Sequence, residues 1–310
     1  MGGFWSMEQS NKIPTGGKKF RLSLNQRQGL IGWAFLFLAS ALIVWMNFYP
    51  MVRGFLFSLQ TGVGAQMGFA GFVNYVRLFE DPQFGQTVAT TFLYLVIQVP
   101  LMLVLGLVLA SMLNDKTLKG RGFFRTAIFL PCAVGLVAYS LVFRQMFAVS
   151  GIVNTIAISI GIMETPFNWF GSTWSARLII ILGLLWRWTG FNMIFYLAGL
   201  QNIERSVFDA ARIDGANVFQ QFWKITVPLL KPIILLTTIM STNGTLQLFD
   251  ESFNLTGGHP GITSRTMSHH IFATAFQGIP QIGYASAMSF VILVFVALLA
   301  FIQIKVGDRR

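Results

Sequence analysis

Few residues in this chain of 310 have the type and spacing for reaction chemistry. The histidines His259, His269 and His270 have no partner cysteine and no HExxH spacing, so no metal site is expected. Cys132, the single cysteine, lies inside an apolar run; it excludes an internal disulfide and suits a buried, inert thiol. No GxxxxGK[ST] segment is present to cradle a nucleotide phosphate. The chemistry that remains is recognition. Arg187 is the one obvious charge in the middle of an apolar run, between Trp186 and Trp188. Trp188, Asn192 and Tyr196 recur every four residues and so share a helix face. Asn243, Gln247, Asp250 and Asn254 follow at spacings of four, three and four. Polar groups inside apolar spans are costly, so each face is read either as the lining of a polar route or as glue between helices.

A second feature is a polar, helix-prone island between two apolar runs. Asp209, Ala210, Ala211, Arg212, Ile213, Asp214, Gly215 and Ala216 lead on to Ile225, Val227 and Pro228. Ala210, Ala211 and Ile213 make a small apolar patch ringed by charges. Gly215 offers a break before a second amphipathic run through Phe219, Phe222 and Ile225. The spacing predicts a helix, a turn and a second helix, closed by Pro228: a docking surface with no reaction centre.

The elements that must hold these residues follow from composition. The chain is 54% hydrophobic and 11% charged, against roughly 25% charge in soluble domains. Apolar runs predict six membrane-spanning helices near 30–49, 88–113, 126–147, 176–200, 229–249 and 284–304, an all-α integral membrane fold. Pro100 and Pro131 fall inside the second and third spans as expected kinks. The division expected is a polar tail at 1–28, which is not a cleaved signal peptide, a membrane domain at 29–306 with the island at 201–228, and a short C-terminus at 307–310. Residues 71–79 suggest a short interfacial helix, 148–175 an external loop with weak helical character, and 250–283 a polar external loop. The net charge of +11 is unevenly spread. About 16 of the 22 basic residues fall in the tail, the second loop, the island with its flank, and the C-terminus, and about 5 in the external segments. The bias puts the island and both termini in the cytoplasm, with the positive charge facing anionic membrane lipid, and no nucleic-acid partner.

The island resembles the EAA loop of binding-protein-dependent ABC importer permeases. That motif runs Glu-Ala-Ala, three residues, Gly, nine residues, Ile, one residue, Leu-Pro; Asp209, Ala210, Ala211, Gly215, Ile225 and Pro228 stand at those spacings. Asp209 replaces the usual Glu and Val227 the usual Leu. Residues 71–84, 118–125, 129–131, 188–193, 197–201, 248–250 and 256–258 look like the carbohydrate-uptake branch, the maltose, lactose and glycerol-phosphate type, and the first of its two paired permeases.

The resemblance implies a type I importer permease in the bacterial cytoplasmic (inner) membrane, with no catalysis of its own. Its implied partners are a second homologous permease, two ATPase subunits that bind ATP and Mg and each grip one EAA loop, and an extracytoplasmic sugar-binding protein. The polar faces, with their amides and aromatic rings, then suit sugar hydroxyls. One alternative is an anionic solute such as a glycerol phosphate, met by Arg187. A weaker one is an ion-coupled secondary transporter, which calls for acidic residues at mid-span. A membrane enzyme lacks the cluster of catalytic groups it needs.

Overall fold

Apolar chain in lipid must satisfy its backbone groups internally, and helices dominate the computed structural model, which describes residues 23–115 and 117–307. Most of the expected N-terminal tail, Lys116 and residues 308–310 lie outside the described residues.

The chain divides into two compact units, 1–53 and 54–310. In the first, α1 (Leu24–Ile43) passes through a π-helical turn at Val44–Phe48 into α2 (Tyr49–Ser58). Trp45 stacks on Tyr49 at 5.5 Å. The helix from Arg27 to Ser58 is long and apolar enough to cross a membrane and continues beyond Tyr49, where the apolar run predicts its end.

The second unit opens with a two-residue antiparallel pair, β1 (Gln60–Thr61) and β2 (Gly68–Phe69), with Gln60 opposite Phe69. α3 (Val73–Glu80) follows. Asn74 ties it back by donating to the carbonyls of Ser58 and Gln60 at 2.9 and 2.8 Å. α4 (Pro82–Asn114) starts cleanly because the Asp81 carboxylate accepts from the Gln83 amide at 2.9 Å and Pro82 fits the first turn. Pro100 lies within it without ending it. α5 (Arg121–Ala133) and α6 (Leu136–Met146) meet at a bend of 99°. α7 (Ile152–Ser159) lies in the connection that follows α6, and α8 (Thr173–Gln201) is capped by Ser172, whose hydroxyl accepts from the Ser175 amide at 3.3 Å. α9 (Arg205–Ile213) and α10 (Val218–Gln221) lead through a π turn at Phe222–Thr226 to α11 (Val227–Leu229). α12 (Lys231–Leu246) follows after a 71° bend. Another π turn, Ser252–Thr256, then α13 (Met267–Phe276) and α14 (Ile282–Gly307), complete the order.

The helix of the first unit, α4, α8 and α14 can each cross a membrane alone. With each bent pair counted as one span, the total is the expected six. Three expectations need correction. The third span is not continuous: Val134 and Gly135 adopt extended ψ angles of 135° and 136° just after Pro131, and the chain turns there. The fifth span ends at Leu246 and not near 249, so Asn243, Gln247, Asp250 and Asn254 do not share one helix. The segment 250–283 is no plain polar loop; it contains α13, in which His269 and His270 are buried.

α8 is the pillar. Ile179, Ile180, Met193 and Tyr196 on it are fully buried. Its N-terminal half packs with Tyr94, Tyr139, Phe143 and Leu255, and its C-terminal half with Leu107, Ala110, Leu113 and Leu230. Glycines set the spacing. A Cβ on Gly106 of α4 would meet that of Asn192 at 3.2 Å, and one on Gly190 would overlap the backbone carbonyl of Ile128 on α5. Backbone cannot yield as a flexible side chain does, so Gly190→Val is expected to destabilise the protein by about 2 kcal/mol. Gly122→Ala on α5, which has open space around it, serves as the control. Thermal unfolding of the two purified variants in detergent checks the contrast: a lower midpoint for Gly190→Val and an unchanged one for Gly122→Ala.

Candidate functional site

Two features carry the functional chemistry: a cavity between the helices and the exposed island between α8 and α12.

The cavity, about 300 Å³, is lined from α4, α8, α12 and the turn after α12. Trp188 and Asn192 face it from adjacent turns of α8, and Gln247 and Asp250 from the turn that ends the fifth span. Because the helix stops at Leu246, the backbone at 247–249 departs from α12 and carries these side chains to the wall. Gln98, Ser241, Thr245 and Glu251 complete the polar lining. Gln98 is locked in place: Thr245 donates to its amide oxygen at 3.1 Å, and its own amide nitrogen meets the Met102 sulfur at 3.1 Å. The Asn192 nitrogen donates to the Trp188 carbonyl at 3.1 Å, while its buried oxygen has no hydrogen-bond partner. That oxygen is an acceptor held at a cavity wall, suited to a ligand hydroxyl.

The other sequence candidates stand elsewhere. Tyr196 is fully buried and its hydroxyl bonds Thr237 on α12 at 2.7 Å, so it joins two helices behind the cavity. Arg187 is also buried, behind Trp188. Its guanidinium lies 5.1 Å from the Tyr139 ring and 5.3 Å from that of Trp188, an arrangement that lets aromatic faces offset a buried charge. Trp186, the other neighbour of Arg187 in sequence, packs on Tyr139 and Phe143. Asn243 is exposed and accepts from Gln247. Glu251, expected at a half-exposed external mouth, is 3% exposed. Burial pushes its carboxyl above the usual range, with the Arg187 charge opposing the shift. Sequence reasoning did not place Gln98, Ser241, Thr245 or Glu251 in the cavity wall. Gln98 carried a usable signal, an amide deep in an apolar run; the others sit where the helix ends, which spacing does not reveal. Among the described residues no group of three or more His, Cys, Asp or Glu is placed to hold a metal ion.

The island forms a helix, a tight turn and a second helix. α9 ends in a Schellman turn: the Ala216 amide donates to the Ala211 carbonyl at 2.9 Å and the Gly215 amide to that of Arg212 at 3.1 Å. Gly215 sits at φ 78°, in the left-handed region. Asn217 and Gln220 then start α10 with a reciprocal capping box at 2.8 and 2.9 Å. The Gln221 amide donates to the Ala216 carbonyl at 2.8 Å and closes the unit on itself. Asp209 and Arg212 pair at 3.2 Å on the exposed face of α9. Ala210, Asp214 and Pro228 are exposed, while Ala211, Ala216 and Ile225 are half-buried. Pro228 lies inside α11, and the chain bends two residues later, at Leu230. No residue of α9 is buried, and Ile213, Val218, Phe219 and Trp223 are all exposed. These exposed apolar residues stand beside the charged residues Asp209, Arg212 and Asp214.

The family model described as binding-protein-dependent transport system inner membrane component matches residues 81–310. The chain is similar to the lactose transport system permease protein LacF of Rhizobium radiobacter, 46% identical over 292 residues, covering 94% of this chain and 98% of that protein. It is similar to the trehalose/maltose permease protein MalF of Thermococcus litoralis, 33% identical over 93% and 97% of the two chains. The arabinooligosaccharides permease protein AraP of Halalkalibacterium halodurans is 32% identical over 85% of each. In fold it resembles a chain of a bacterial ABC transporter involved in import of the acidic polysaccharide alginate, with a TM-score of 0.82 at 22% identity, covering 92% and 97%.

The placements separate wall from scaffold. Trp188→Ala and Asn192→Leu are expected to lower solute uptake by about tenfold or more each, with the protein still in the membrane. Tyr196→Phe is expected to leave uptake intact and to cost about 1 kcal/mol of stability through the lost Thr237 bond. Uptake by membrane vesicles, beside thermal unfolding of each variant, checks all three.

Proposed function

We propose the following role for this chain, which belongs to the family of binding-protein-dependent transport system inner membrane components. It is a multi-pass permease subunit of an ABC importer in the inner membrane, and its solute is a sugar of di- or oligosaccharide size. The names of the relatives support the solute class: lactose, trehalose/maltose and arabinooligosaccharides. The cavity suits it, with amides and hydroxyls for sugar hydroxyl groups and the Trp188 ring for a sugar face.

The observation that carries the mechanism is the exposed helix–turn–helix between α8 and α12, helices that together supply half of the residues lining the cavity. In this reading the chain pairs with a second permease of the same kind. Two ATPase subunits lie beneath them and bind ATP and Mg. One of these subunits covers Ile213, Val218, Phe219 and Trp223 in a surface groove. ATP binding draws the two docking units together and turns the cavity outward, where an extracytoplasmic binding protein delivers the sugar. The distribution of basic residues supports cytoplasmic placement of the docking unit and of both termini. Chemical work stays with the ATPase subunits, and this chain acts by moving. A bound ADP–ATP cycle elsewhere needs only a stiff link here, and the Schellman turn with its capping box supplies one.

An anionic solute fits less well. The carboxyls of Asp250 and Glu251 line the cavity, whereas Arg187, the cation assigned to such a solute, is stacked behind Trp188. An ion-coupled carrier would instead continue to transport without the ATPase.

Gly215 tests the docking reading. It has open space around it, so a substitution there acts through the backbone alone. Gly215→Val forces an unfavourable left-handed conformation costing about 2 kcal/mol in the turn. ATP-dependent sugar uptake and co-purification of the ATPase are expected to drop together, with the permease level in the membrane unchanged. Normal retention of the ATPase with normal uptake would sink the reading.

A further inference from the structure

A second chamber of about 420 Å³ is lined in part by residues close in sequence to those of the cavity and has no part in the mechanism above. Its polar lining is Ser140, Arg144, Asn254, His269 and Gln277, with Phe253 as an aromatic wall. Two elements, α6 and the segment that follows α12, line both chambers with neighbouring residues. Leu136 faces the inner one and Val137 the outer. Phe249 and Asp250 face the inner one, and Phe253 and Asn254, one turn on, face the outer. Phe249 and Phe253 stack nearly parallel, 5.2 Å between centroids and 18° between planes. Phe272 packs on both, at 5.1 and 5.5 Å, and Phe276 continues the series to the exposed surface.

We propose that this outer chamber is a second saccharide subsite, so that a sugar chain of at least two units is held in both chambers at once. The proposal rests on the sugar reading above and adds to it a place for the next ring. A pyranose needs an aromatic surface for its apolar face and mixed donors and acceptors around its rim. Phe253 provides the first. Arg144 and Gln277 provide donors. The Asn254 nitrogen is engaged with the Asp250 carbonyl at 2.9 Å, which leaves the amide oxygen as an acceptor. The Ser140 hydroxyl is buried, 1% exposed for the residue, and has no hydrogen-bond partner. An unsatisfied buried hydroxyl beside a polar chamber is a cost that a ligand hydroxyl removes. His269 is anchored by Ser252 through Nδ1 at 2.9 Å, and burial holds its pKa down to about 4, so it meets the chamber uncharged at neutral pH. The chamber therefore offers one cation among neutral groups, suited to a neutral sugar unit.

The test uses the assembled transporter with its ATPase subunits and binding protein, reconstituted in liposomes on a Cys132→Ala background. Asn254→Cys reports the outer chamber and Gln247→Cys the inner one, each labelled with a membrane-impermeant methanethiosulfonate. The competitors are lactose, raffinose and maltotriose, and the decisive one is whichever the parent imports fastest. At ten times its dissociation constant it is expected to slow labelling of both cysteines about tenfold. Protection of Gln247→Cys without protection of Asn254→Cys would overturn the outer subsite and leave the sugar reading intact. So would an Asn254→Cys that never reacts, or import that proceeds with neither site protected. If the parent imports none of the three saccharides, the sugar reading fails and the subsite fails with it. Should Asn254→Cys not assemble, Ser140→Cys takes its place under the same criteria.

Discussion

The closeness with which other helices approach the backbone of α8 sets the rest of the structure. Lipid gives helices no hydrophobic reason to associate, so contact area and polar bonds must hold them. α8 has 56% of its most apolar stretch buried, against 33% for α4 and 22% for α14, which makes it the axis of the second unit. Gly106 and Gly190 remove the side chains that would keep α4 and α5 away. With those helices seated, Trp188 and Asn192 are fixed in position on a buried element. The cavity wall inherits the rigidity of the core.

Charge inside this core is handled by aromatic rings and distance. Arg187 and Glu251 influence one another electrostatically, yet they do not form a close ion pair. Tyr139 and Trp188 cover the guanidinium, and the cavity receives the acidic member. The result is a polar wall that carries both carboxyls and amides, with the Arg187 cation outside the lining.

Much of this was legible in the residues. The island announced itself because amphipathic helices flank a glycine between apolar runs, and the turn at Gly215 has the backbone geometry that residue suits. The number of crossings followed from apolar length. The breaks were harder to see. From Leu130 to Leu141 the chain stays apolar, and only Pro131 and Gly135 hint that the helix turns by 99°. Asn243, Gln247, Asp250 and Asn254 keep helical spacing although the helix stops among them, because spacing describes side-chain chemistry and not backbone continuity. Tyr196 illustrates the opposite limit. Its position on the same face as Trp188 was readable, but its Thr237 bond depends on where α12 lies, and no local pattern encodes that.

The 71° angle at Leu230 has a mechanical consequence. The exposed segment from α9 to α11 and the cavity wall are two arms of one crank, joined where Leu230 is almost fully buried. α12, with 16 residues, is roughly 24 Å long at 1.5 Å per residue. If the bend stays stiff, turning the short arm by about 10° sweeps the far end of the long arm through roughly 4 Å. That far end is where Gln247 and Asp250 stand. A small rotation at the membrane surface is thereby geared up into a displacement wider than a hydrogen bond, enough to take the wall out of reach of whatever it holds.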